Sequence, residues 1–186
     1  FDVIGVYPDI DSLKVIGPVY NIDMGVIRSL AGRKPVQCKI DPCGKLKYLD
    51  LSEADLRRGE NEYFYSTENY GMWDQMHEIK DDVIGLVMFE KLPYLETLIL
   101  PNSAKSIEDE MAWKCPNLKR IVFGPNINDI EEDIIQETPN LREMIFLGTV
   151  PKTMDKEMFY GKASRIVAYT TNAERANYTA AARIYN

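Results

Sequence analysis

The chain has 186 residues, of which 45% are hydrophobic, enough apolar side chain for one domain with a sizeable core. Its net charge of −7 and pI near 4.9 argue against nucleic acid or an anionic membrane surface as a partner, since either would want a basic face. No apolar run approaches the roughly 20 residues that a membrane span needs.

Taken in order, Phe1 to Asp11 is a lead-in in which Tyr7-Pro8-Asp9 predicts a turn. The start at Phe1 rather than a methionine leads us to expect a processed protein whose signal or lipoprotein anchor has been removed. Leu13 to Val19 reads as a strand. Asn21 is the expected N-cap of a helix over 22–31, with Asp23 in its first turn and Gly32 just past its end. Ile22, Val26, Ile27, Leu30 and Ala31 form its apolar stripe. The segment Leu46-Lys47-Tyr48-Leu49-Asp50-Leu51 then sets out an L-x-x-L-x-L pattern, in which the last two leucines point to one face of a strand.

That pattern returns. Pro93, Pro116 and Pro139 are each followed two residues later by a leucine, at a constant step (116 − 93 = 23; 139 − 116 = 23). Leu95, Leu98 and Leu100 match Leu118, Ile121 and Phe123, then Leu141, Met144 and Phe146. Ile84, Ile107 and Ile130 keep the same step. A period in the twenties with this spacing marks a leucine-rich-repeat solenoid, in which each rung buries its apolar face only against its neighbours. Between Ile79 and Leu92, the spacing of Ile84, Met88, Phe89 and Leu92 predicts a helical return segment. From Leu46 to Leu95 there are 26 residues more than one period (95 − 46 = 49), so an insertion is expected near 53–80. A rung hidden there would put Met72, Gln75 and His77 at the leucine positions, and two of those are polar. The last repeat drifts, with Met154, Met158 and Phe159 as its apolar set. Arg165 to Tyr169 reads as a closing strand, and Asn172 as the cap of a helix over 173–184.

The segments from Leu100 to Ile107 and from Cys115 to Ile121 resemble the BspA-like leucine-rich repeats. Glu108 stands where that consensus has glycine, and Ala112-Trp113 where it has Ala-Phe. The resemblance is specific over Ile84 to Phe159. It implies a secreted or surface protein of an anaerobic bacterium. The expected fold is α/β, a short solenoid with a curved parallel sheet on its concave side and helical or irregular return segments. The strand–helix over 1–45 would cap the repeats of 46–164, and a second strand–helix over 165–186 would close them.

Solenoids bind on their concave side. The outward strand positions are Tyr48 and Asp50, Thr97 and Ile99, Arg120 and Val122, Glu143 and Ile145. Ile99, Val122 and Ile145 would stack as an apolar ladder in view of solvent, either marking a partner site or simply stabilising cross-strand pairing. The insertion supplies a second candidate. Tyr63, Tyr65, Tyr70, Trp73 and the single histidine, His77, are the residue types favoured as interface and sugar-binding anchors. The same aromatics also suit packing the insertion onto the solenoid.

Cys43 and Cys115 each lie three residues before a repeat leucine, where Thr138 stands in the next repeat. Small buried residues, with free thiols, are expected there. Cys38 and Cys43 lack a second pair, so no metal is expected. With one histidine, no nucleophile motif and no phosphate-binding glycine loop, the chain reads as non-catalytic and free of cofactors. The acid runs Glu108-Asp109-Glu110 and Glu131-Glu132-Asp133 read as a solvated face. The expected function is recognition of a protein or glycan at the cell surface. The alternative is a structural surface component without a soluble ligand, and oligomeric state stays open. Truncating Leu118 in the middle rung to alanine should cost about 2–5 kcal/mol, read by chemical denaturation.

Overall fold

The computed structural model describes residues 10–33, 44–60, 63–65, 76–154, 166–171, 173–175 and 177. Six parallel strands make the main sheet: β1 (Ser12–Val19), β2 (Tyr48–Leu56), β6 (Thr97–Ile99), β8 (Arg120–Phe123), β10 (Glu143–Phe146) and β12 (Val167–Thr170), neighbours in that order. On the return side, four two-residue strands pair in parallel: β5 (Val83–Ile84), β7 (Ser106–Ile107), β9 (Asp129–Ile130) and β11 (Thr153–Met154). Leucine positions 46, 49, 51, 95, 98, 100 and 118 are fully buried between the two sheets. The isoleucines predicted to be in phase are partners in the second sheet, Ile84 with Ile107 and Ile107 with Ile130. The fold is the expected repeat solenoid.

The return segments are turns and not the expected helix. Ile84, Met88, Phe89 and Leu92 are all fully buried, so their spacing found the inward residues but misjudged the element. Val87, Glu110 and Asp133, 23 residues apart, have left-handed backbone (φ 51°, 52° and 47°), as do Lys91, Lys114 and Glu137 (52°, 54° and 49°). Two such residues per turn stop an α-helix from propagating. The freed backbone groups bond between rungs instead: Phe89 N–H to the Met111 carbonyl (2.9 Å), Ala112 N–H to that of Ile134 (2.9 Å), and Lys91 N–H to that of Trp113 (2.7 Å). At Gly124 a side chain would not fit, because a Cβ would lie 2.5 Å from the Pro101 carbonyl oxygen of the preceding rung.

Helix α1 (Asn21–Leu30) caps the first rung and differs from expectation in two ways. Its N-cap is Tyr20, whose N–H donates to the Asp23 carboxylate (3.0 Å). Asn21 is instead the first helical residue, fully buried. Its Oδ1 accepts from Ile79 N–H (2.6 Å), and its Nδ2 donates to the Gly59 carbonyl (3.3 Å), so it ties both ends of the insertion to the cap. The buried face is accordingly Asn21, Met24, Ile27, Arg28 and Ala31, while Ile22 is 69% exposed. Gly32 follows the helix with φ +96°, as its position predicts.

Arg28 is the least expected core residue. It is 2% exposed, and one guanidinium nitrogen donates to the carbonyls of Val87 (2.7 Å) and Met88 (2.6 Å). Glu90, 1% exposed, lies 3.9 Å from the other nitrogen, and Lys91 Nζ (2.9 Å) and Arg33 (3.8 Å) approach the same carboxylate. Burial lowers the Arg28 pKa to about 10, and Glu90 opposes that shift, so the group stays charged at neutral pH. Arg28 thus clamps the strained Val87 turn to the cap. Arg28→Met should cost about 1–3 kcal/mol in denaturant unfolding, because it takes the guanidinium donor from the buried Met88 carbonyl and removes one of the three cations around the buried Glu90. Adding Glu90→Met should recover part of that loss.

Candidate functional site

The outward face of the main sheet is built by register. Tyr48, Thr97, Arg120, Glu143 and Val167 align across five strands, and Asp50, Ile99, Val122, Ile145 and Tyr169 align beside them. The ladder Ile99–Val122–Ile145 therefore forms as the spacing predicts, with each of the three partly exposed. Its alternate neighbours point inward: Leu49, Leu98, Ile121 and Met144. Arg120 Nε donates to Glu143 (2.5 Å), an ion pair between rungs that raises the arginine pKa. Lys14 on β1 pairs with Glu53 (2.5 Å) and lies 3.9 Å from Asp50.

Three residues of this face escaped the sequence reading. Val167 and Tyr169 extend the two ladders and are 47% and 49% exposed, and Leu147 is 45% exposed two residues beyond Ile145. Val167 and Tyr169 follow Glu143 and Ile145 by 24 residues (167 − 143 = 24; 169 − 145 = 24), and the strand carries alanine and threonine at the inward positions. A one-residue drift in the period hid them.

The insertion candidates divide. β2 pairs directly with β6, so no described strand lies between them in the main sheet, and the chain past Leu56 leaves it and returns. Phe64–Tyr65 (β3) and Met76–His77 (β4) form a separate antiparallel pair. Tyr63 is buried, donates from its hydroxyl to the Leu86 carbonyl (2.6 Å) and lies 6.2 Å from the His77 ring. His77 is 9% exposed, and desolvation, then the nearby Arg28, lowers its pKa. Both residues border a cavity of about 560 Å³ that Arg58, Ile79, Leu86 and Glu108 also line. Among the described residues lining it, none is a serine, threonine or cysteine. Tyr70, Trp73, the Tyr65 side chain, Cys38, Cys43, the lead-in to residue 9 and most of the helix expected over 173–184 lie outside the described residues.

Cys115 is a free, fully buried thiol against the Phe89 carbonyl (3.0 Å), and burial pushes its pKa up to about 12. Thr138 is buried at the same repeat position, its hydroxyl donating to the Ala112 carbonyl (2.7 Å). Both match the expected small buried residue. No helix among the described residues is long and apolar enough to cross a membrane.

The BspA type leucine rich repeat region family matches residues 43–166 in six copies, two thirds of the chain. The chain belongs to this family. A search of curated proteins finds no match. The family match begins well before Ile84, where the resemblance in sequence becomes specific, and takes in the rung at Leu46. Leucine-rich repeats of this kind point to protein interaction in general.

The acid runs require a correction. Glu131 and Glu132 are exposed, but Glu108 is partly buried, bonded to Lys80 and accepting from Leu86 N–H (3.1 Å), and Asp109, Glu110 and Asp133 are partly buried too. Burial first, then the neighbouring Glu131, Glu132, Asp133 and Glu110, raises the Asp109 pKa from 3.8 to about 6. The folded state therefore holds that proton more tightly than the unfolded chain does. Its ionisation weakens the fold as pH rises from about 4 through 6. Asp109→Asn should raise the melting temperature at pH 7.5 and leave it nearly unchanged at pH 4.

Proposed function

We propose that this chain is a non-catalytic recognition module, secreted or displayed at the cell surface, that binds a protein or glycan through the concave face of its main sheet. The observation that carries the reading is the ladder Ile99–Val122–Ile145, continued by Tyr169. The repeat requires apolar residues at the inward positions and makes no such demand on the outward ones. A row of β-branched side chains there, ending in a half-exposed tyrosine, is surface that a partner covers favourably. The insertion supports the ladder: Tyr63 and His77 are engaged in packing it against the return segments.

Arrays of host proteins and glycans, probed with the wild type and with Val122→Glu, test this. Hits should weaken at least about tenfold with Val122→Glu, a loss of about 1.4 kcal/mol, while the unfolding transition stays in place. Hits indifferent to Val122→Glu, or light scattering that finds only large assemblies and no ligand, would sink the reading.

A further inference from the structure

We infer that the occupant of the concave face is an amphipathic helix with an acidic flank; this rests on the concave-face reading proposed above. The apolar stripe runs across the strands, since Ile99, Val122, Ile145 and Tyr169 come from four neighbouring strands in register. A ligand lying along it must repeat apolar groups at the strand spacing, about 4.8 Å. A helix returns a side chain to one face about every 5.4 Å. An extended strand does so only every second residue, about 6.7 Å. Over the three steps from Ile99 to Tyr169 the helix drifts by about 2 Å, which side-chain rotation absorbs. The strand drifts by about 6 Å and loses a whole rung. The stripe at Ile99, Val122 and Ile145 offers only apolar contact, which suits a helix ridge, while Thr97, Arg120 and Glu143 lie in the row beside it.

Charge sets the flank. Along the rim before the stripe, Lys47, Glu96, Lys119 and Arg142 occupy one repeat position, beside the Arg120–Glu143 pair. Lys119 Nζ lies 2.6 Å from Glu96. Four cations face two carboxylates there, leaving a positive surplus of two on a chain whose net charge is −7. Acidic residues on the side of the helix above that rim would be attracted to it, with the largest effect at low salt. Tyr48 and Tyr169, 39% and 49% exposed, stand at opposite ends of the face as anchors.

A displayed library of random peptides about 16 residues long, enough for four helical turns, is selected on the full chain at low salt and counter-selected on Val122→Glu. Enriched peptides should carry apolar residues at i, i+3 or i+4, and i+7, with Asp and Glu outnumbering Lys and Arg. A synthetic representative should bind at least about tenfold more weakly to Val122→Glu and to Ile145→Glu. It should also weaken several-fold with Lys47→Glu and Arg142→Glu together, and as salt is raised. Enrichment of alternating apolar patterns, or of basic peptides, overturns the inference. So does a failure to enrich any peptide; if array hits still depend on Val122, the concave-face reading survives that failure, and if none does, both fall.

Discussion

Backbone hydrogen bonding between rungs is the constraint on which this structure depends. The main sheet, the small second sheet and even the turns between them place their N–H and C=O groups against the rung before or after. A turn held this way can tolerate Val87 in left-handed backbone, an unfavourable conformation for a β-branched residue, because Phe89 and Lys91 on either side of Glu90 bond to the next rung and Arg28 holds the Val87 carbonyl. The side chains repeat the same step. Lys105 reaches Asp82 (2.8 Å), Lys119 reaches Glu96 (2.6 Å), and Asn117 and Asn140 donate to the Pro93 and Pro116 carbonyls (2.6 and 2.7 Å). Exposed ion pairs of this kind add little stability each. Their value is that a rung slipped by one residue would lose all of them together.

A stack of this kind has two open ends, and the first is closed with charge as well as with apolar surface. Helix α1 brings Met24, Ile27 and Ala31 onto the first rung, but it also inserts Asn21 and Arg28. Arg28 binds the Val87 and Met88 carbonyls of the return turn, and Asn21 holds the points where the insertion leaves and rejoins the solenoid. Cap, first turn and insertion are thereby one unit. The insertion's Tyr63 and His77 belong to that unit, buried against the solenoid.

Repeat position separates scaffold from surface. Inward sites on β2, β6, β8 and β10 are filled by leucine and its apolar substitutes, so their identity is explained by burial. Outward sites carry no such obligation. The row Asp50, Ile99, Val122, Ile145, Tyr169 beside Tyr48, Thr97, Arg120, Glu143 is therefore the part of the chain whose composition the stacking does not dictate.

Much of this was legible in the sequence, because a period of 23 residues and an alternation of two are direct records of stacking and of strand pleat. They sufficed for the solenoid, the buried Cys115 and Thr138, the outward ladder and the excess chain after Leu51. Three things were decided only by tertiary structure. The return segments became turns because carbonyls of the next rung outcompeted local helix bonds, a choice that the spacing of Ile84, Met88 and Phe89 does not encode. The cap helix rotated to bury Asn21 and Arg28 over Ile22, because the ends of those polar side chains find partners distant in sequence. Val167 and Tyr169 joined the concave face through sheet pairing alone, since their rung had lost the leucines that announce it.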